Sequence, residues 1–448
     1  MPTAEPLVQP GIEADLQWRP TSAPAASSRY DDIWFVDPAT GWAVNSNGDI
    51  LATENGGGTW QKQFHSDDYL RCVGFANRST GWVGTLGRRR PGRLYQTRDG
   101  GKTWDEVKNL PAVRPPLICG LCVVNESVIY ASGTNEPTAT PPAMIKSTDG
   151  GETWTGWDMT EHATILIDTF FSSPTEGWVV GGKSDKPNPT REDIKPVVLH
   201  TRDGGETWTN RIPDVQEFPF GEWGWKIQFL NEKVGFVSLE NFTQGAILKT
   251  TDGGCTWVRL PVNDPQHNAN LEGVGFVDEE HGWVGGWGDA NFAGGFSSAT
   301  SDGGGNWRDA NEIGRFINRF RFFGNPVTVG YSSGRTVYKY SSDPVPLATV
   351  AMAPPTELLD TNELVEVSGP IEIAYTVPEG ARRLAIDIWN RFGVYARLLL
   401  EEENPRPGRH SATWDLKSDT GESLPPGFYL YRITVDEEAE SRVILVKP

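Results

Sequence analysis

Only four methionines and four cysteines occur among the 448 residues of this chain. So few cysteines exclude a disulfide-built scaffold. No apolar run approaches the roughly 20 residues a membrane-spanning helix needs, so no membrane insertion is expected. Positive charge is also short. Forty Lys and Arg stand against 59 Asp and Glu, a net charge of −19. Nucleic acid is thereby excluded as a partner, because phosphate binding needs a basic stripe. The first residues, MPTAEPLVQPG, offer neither the basic start nor the apolar stretch of a secretory signal. The expectation is an exported protein whose signal lies outside this sequence, or a cytoplasmic one if Met1 is the native start.

What the chain has in quantity is glycine (50) and tryptophan (18), a mixture suited to short strands, tight turns and an aromatic core. These residues recur in order. Four stretches read almost alike: 97–104 (TRDGGKTW), 147–154 (STDGGETW), 201–208 (TRDGGETW) and 250–257 (TTDGGCTW). Degenerate copies flank them at 53–60 (TENGGGTW) and 300–307 (TSDGGGNW). A period near fifty residues marks a repeat architecture. Within each unit an apolar strand ends in Phe, as at 33–35 (IWF), 73–75 (VGF) and 227–229 (IQF). Gly-Trp or Gly-Phe then opens a second strand at positions 41, 81, 177, 235 and 282. A third strand, such as 143–148 (AMIKST), leads to the eight-letter turn, and a fourth is expected to start at its Trp.

Four antiparallel strands per unit make one propeller blade. In the turn, Asp accepts hydrogen bonds from nearby backbone N–H groups and the glycines supply positive φ. The aspartates Asp99, Asp149, Asp203, Asp252 and Asp302 are therefore structural. Residues 316–342 provide three more strands but no closing Trp strand. The missing strand lies at 15–18 (DLQW), one period before Trp60. The predicted fold is all-β: a seven-bladed propeller over 15–343, closed by an N-terminal strand that pairs the exposed edges. A flexible tail is expected at 1–14.

Cys119-Gly-Leu-Cys122 has redox-motif spacing but sits in a strand-like run, where residues three apart face opposite sides. Buried thiols are expected, with a bridge from Cys72 to Cys119 or Cys122 between neighbouring blades as the alternative.

Beyond a proline-rich stretch at 344–358, read as a linker, alternating runs recur every ~8–12 residues, which suggests a small β-sandwich at 359–448. The segments 407–415 (PGRHSATWD) and 425–435 (PPGFYLYRITV) resemble the Ig-like module named after the flagellar hook-cap protein. That resemblance implies a spacing or attachment role.

The eight-letter turn resembles the Asp box (BNR repeat) of sialidases, large xyloglucanases, sortilin-type receptors and the photosystem II stability/assembly factor family. The aromatic-ended first strand, Gly-Trp and box together look most like the last of these. Fold follows from such motifs; function does not. The sialidase Arg-Ile-Pro signature is absent near the first blade, where residues 19–21 are Arg-Pro-Thr. The assembly-factor resemblance implies an arginine patch that binds a partner polypeptide. The long fourth-blade loop and the Ig-like module depart from that family, which puts a photosynthetic role in doubt and looks like an exported bacterial protein.

A site would form on the face opposite the boxes, where loops between second and third strands and between blades gather. The candidate binding residues there are Arg71, Arg88, Arg89, Arg90, Arg93, Trp223, Trp225, Lys226, Trp287, Arg315 and Arg319. Arg88, Arg89, Arg90 and Arg93 form the single basic cluster of an acidic chain; guanidinium forks suit carboxylates or an acidic peptide. The aromatics, with Phe292 and Phe296, could stack on a sugar or a peptide side chain. Asp32, Asp168 and Lys226 read as channel residues.

The leading reading is a non-catalytic, monomeric binding or assembly propeller for a protein or peptide partner, with the Ig-like domain as spacer or anchor. The alternative is a secreted carbohydrate-active hydrolase or lyase, its carboxylate pair drawn from Asp67, Asp68, Asp168, Glu217, Glu222 or Glu272. A third reading is a metal-dependent lyase using His65, His162 and His267. No closely spaced histidine pair supports it, so neither a metal nor a cofactor is expected.

Overall fold

The computed structural model describes residues 16–26, 29–89, 91–212, 217–290, 294–342 and 365–447. The expected tail (1–14) and linker (344–358) lie outside them. Seven four-stranded antiparallel sheets follow one another from residue 17 to 341, with each inner strand beside the next blade's. The seventh is made of Arg319–Phe323, Val329–Ser333, Val337–Ser341 and the N-terminal strand Gln17–Pro20. Trp18 lies opposite Tyr340 and packs against Trp283 and Phe320. The N-terminus thus fastens the ring, as the repeat count predicts.

The glycine that opens the second strand in five of the blades is explained by the ring beside it. A Cβ at Gly41, Gly81, Gly177 or Gly282 would lie 2.3–2.5 Å from the Phe that ends the first strand. With that space free, the Phe lies flat and an aromatic of the preceding blade stacks on it. Trp42 stacks on Phe75 at 3.5 Å, Phe236 on Phe276 at 3.6 Å, and Tyr331 on Phe35 at 3.7 Å across the closure. In five units the box Trp meets the same Phe edge-on, as Trp104 meets Phe75 and Trp307 meets Phe276. These contacts fill the wedge between blades. The fourth strands begin one residue after the box Trp, at Asp105, Thr155 and Val258 for example. The Trp belongs to the turn because its ring is drawn inward against the Phe.

All four cysteines are free thiols. The alternative of a bridge from Cys72 is not realised. The Cys119 thiol donates to Leu117 O, and the Cys122 sulfur accepts from Phe171 N–H.

Residues 365–447 form two further sheets. One has five strands, in the order Val365–Val367, Glu438–Val446, Gly427–Val435, Arg383–Asn390 and Tyr395–Glu403. The other pairs Ile371–Val377 with Gly408–Trp414. Ile373, Leu384, Ile386, Trp414, Tyr429 and Ile444 pack in a common core. This C-terminal β domain does not stand clear of the propeller. It sits on the loop face, over the mouth of the channel.

Candidate functional site

The mouth and channel are built from the N-terminal ends of the inner strands and the loops above them. Just inside the mouth lies a fully buried charged layer. Asp31 accepts from Arg29 Nε at 3.1 Å and from Arg71 Nη1 at 2.6 Å. Glu272 accepts from Arg29, from Trp287 Nε1 at 2.8 Å and from Asn318 Nδ2 at 2.9 Å. Arg29 lies over the Trp287 ring and Arg71 over the Trp225 ring. Each cation thus has a carboxylate and an aromatic face, the arrangement that makes buried charge tolerable.

In the next layer Arg319 grips Asp168 with both terminal nitrogens, at 2.9 and 2.7 Å, and reaches Asp32 through Nε at 2.9 Å. Burial would raise the Asp168 carboxyl, but Arg319 and Lys226 outweigh it and hold it low. Lys226 is buried beside them; burial and the positive Arg319 bring its ammonium down to about 8. Near the Asp-box face Arg321 lies over Trp34. There it lines a cavity of about 520 Å³ with Phe170, Phe229, Phe276 and Phe322. Burial and Arg319 lower it to about 10.

Above the charged layer, the propeller holds a segment of its own chain. The hairpin turn 390–394 of the C-terminal domain points into the mouth. Phe392 packs against Ile165, Ile167, Ile194 and Trp223. The Arg191 guanidinium lies 3.3 Å from its ring centroid, and Asn135 Nδ2 donates to the Phe392 carbonyl at 2.6 Å. Arg391 enters over Phe242 and comes within 3.9 Å of Glu240 Oε1. Burial and the nearby Glu272 charge push the Glu240 carboxyl up to about 7. Around this tip Trp389 and Leu430 pack on Tyr69, Leu86 and Leu117. Ion pairs form the rim: Arg88 with Asp387 at 2.7 Å and Arg383 with Asp67 at 2.9 Å. Arg432, fully buried, donates to the carbonyls of Asn47 and Asp67.

The predicted site residues fall into three groups. Arg71, Trp225, Lys226, Trp287 and Arg319 line the channel. Arg88 and Arg89 face the C-terminal domain, the latter toward Asp419, and Trp223 lies under Phe392. Arg93 turns inward to Asp68 at 2.6 Å, and Arg315 donates to the Gly294 carbonyl. Arg90 and Phe292 lie outside the described residues. Of the six carboxylates weighed for hydrolysis, five are held by arginine: Asp67 by Arg383, Asp68 by Arg93, Asp168 by Arg319, Glu222 by Arg259 and Glu272 by Arg29. Glu217 is exposed. His65 bonds Asp49, and His162 and His267 sit in separate turns. Among the described residues no three His, Cys, Asp or Glu side chains are grouped to hold a metal ion. The five box aspartates accept from the Thr or Asn four residues on, as Asp149 does from Thr153 N and Oγ1.

Sequence reasoning missed Arg29, Asn135, Arg191, Glu240, Arg391 and Phe392. The available signal was Asn-Arg-Phe-Gly at 390–393, a turn sequence carrying a cation and a large aromatic that an exposed turn has no use for.

A family model described as photosynthesis system II assembly factor YCF48 matches residues 12–155. Photosystem II assembly lipoprotein Ycf48 of Synechococcus sp. (strain CC9902) is 24% identical over 286 residues, spanning 56% of this chain and 81% of the relative. Among solved structures, YCF48 bound to D1 peptide superposes with a TM-score of 0.53 at 19% identity, covering 75% of this chain and 99% of that one. A GH74 enzyme of Niastella koreensis superposes with a TM-score of 0.52 at 12% identity, covering 95% and 74%. At such identities the structures establish fold alone. The propeller is photosystem II assembly factor-like.

Proposed function

We propose that this chain is a non-catalytic binding or assembly protein whose propeller recognises a polypeptide partner at its loop face, and that the C-terminal β domain guards that face. One observation carries the reading: the mouth already grips a peptide turn, with a backbone clamp from Asn135 and side-chain seats for Arg391 and Phe392. A surface that orders a short segment through its backbone and two side chains has what polypeptide recognition requires. The solved YCF48 bound to D1 peptide supports the same use of the fold. The commitment of five candidate carboxylates to arginine favours binding over glycoside hydrolysis, which needs two free carboxyl groups flanking a bond. The lipoprotein relative from Synechococcus supports a location outside the cytoplasm, which cell fractionation would check.

The test sets a random-peptide display and a glycan array side by side against the full chain. Reproducible enrichment of peptides, without retention of glycans, is the expected result. Retention of glycans alone would overturn the reading.

A further inference from the structure

We propose, building on the polypeptide-binding reading, that the mouth is a recognition site for an arginine–aromatic turn, and that residues 390–394 are a built-in ligand which a partner's turn of the same chemistry displaces. The site has separable parts. A guanidinium well is formed by Glu240 beneath the Phe242 ring. An aromatic seat is formed by Trp223 and the Arg191 guanidinium. Asn135 holds the carbonyl of the aromatic residue itself, Phe392. A fourth requirement is smallness: Gly393 has φ +75°, and a Cβ there would lie 2.8 Å from Leu86 and 3.1 Å from Tyr69.

The built-in turn is pre-organised before it docks. Asn390 Oδ1 accepts from the N–H groups of Phe392 and Val394, and Gly393 N–H donates to Asn390 O. Pre-organisation lowers the ordering cost of binding, so a short constrained peptide can stand in for the whole domain.

The fit to the well is looser than the fit to the seat. Glu240 is fully buried, yet neither of its carboxylate oxygens receives a hydrogen bond among the described residues. Its approach to Arg391, at 3.9 Å, is an ion-pair distance beyond hydrogen-bond length. A charge-assisted hydrogen bond is roughly twice as strong as a neutral one. An incoming arginine that closes this gap would give Glu240 a charge-assisted hydrogen bond. The tethered turn competes at an effective concentration on the order of millimolar, so only a segment carrying both anchors would replace it. The asymmetry suits a guard that yields to the correct partner and excludes others.

The experiment uses the full chain and a fluorescent, disulfide-closed peptide of sequence Cys-Trp-Asn-Arg-Phe-Gly-Val-Tyr-Cys. Wild type is compared with an opened chain carrying Arg383→Glu, Arg391→Ala and Phe392→Ala. The opened chain should bind the peptide at least ten-fold more tightly than wild type. Alanine in place of the peptide's Arg or Phe should weaken binding at least ten-fold, and so should Glu240→Gln added to the opened chain. As a second measurement on the wild type, excess peptide should speed amide exchange at 390–394 several-fold. Equal affinity for native and alanine-substituted peptides, together with unchanged exchange, would overturn the inference. Peptide display that enriches sequences lacking an arginine–aromatic pair would remove it while leaving the polypeptide-binding reading in place.

Discussion

At the scale of single residues, the Asp box is a closed set of hydrogen bonds around one hydroxyl. Thr97 Oγ1 donates to Asp99 at 2.9 Å and accepts from the buried Gly101 N–H at 2.8 Å. Thr97→Val keeps the shape but leaves that N–H without an acceptor, a loss of about 1–3 kcal/mol. Thr97→Ser should restore it, since Ser147 fills the same place in the third blade. Denaturant titration of the two variants checks this, and equal stability would refute it. The aspartates carry a pH signature. Hydrogen bonds from Thr153 and its equivalents hold the carboxyls of Asp149, Asp203 and Asp302 at about 2, and Asp99 likewise through Thr103, against an ordinary value of 3.8. A carboxyl lowered by folding stabilises the fold above its unfolded value, and that contribution is lost as pH falls through its folded one. The melting temperature should therefore drop between pH 4 and pH 2, more steeply than in a chain with two boxes changed from Asp to Asn. Parallel profiles would count against the boxes as the source.

At the scale of the element, the blade is a wedge whose fit depends on a glycine facing a ring. Gly177→Ala would put a Cβ 2.3 Å from Phe171, and overpacking of this kind costs about 1–3 kcal/mol. Adding Phe171→Leu should recover part of the loss, so the two changes would be non-additive; strict additivity in thermal unfolding would show that ring and glycine do not meet. Nearly all of this level was legible in the sequence. The second strands begin at the glycines read from the repeat, and the clasp strand falls where the period puts it. The turns and wedges are local or one blade apart, so a fifty-residue period carries them. The contact of Trp18 with the seventh blade is equally periodic. Trp18→Ala should cost about 3–5 kcal/mol, as for large-to-small changes of buried aromatics, and should raise susceptibility to proteolysis at the seam first.

At the scale of the whole molecule the repeat falls silent, and there the sequence reading was least informative. Arg88 in an exposed-looking loop reads as a free basic patch, because nothing local announces that Asp387, almost 300 residues later, will sit 2.7 Å from it. Composition shows which residues can pair but not which distant surfaces meet. The domain contact changes what arginine variants are expected to do. Arg88 and Asp387 are both nearly buried, and removing one partner of a buried pair costs about 3–5 kcal/mol. Arg432 remains 3.4 Å from Asp387, so Arg88→Ala should fall at the low end. Arg383 and Asp67 are each about a quarter exposed, and their pair contributes about 1 kcal/mol or less. Arg88→Ala should therefore loosen the C-terminal domain while the ring, closed by its own N-terminal strand, stays folded. Calorimetry should show a single transition in the wild type separating into two in Arg88→Ala, with a larger radius of gyration in X-ray scattering between them; Arg383→Ala should shift the curve by only a degree or two. A single unshifted transition in Arg88→Ala would mean that the apolar contacts of Trp389, Phe392 and Leu430 hold the domain without help from the charged rim.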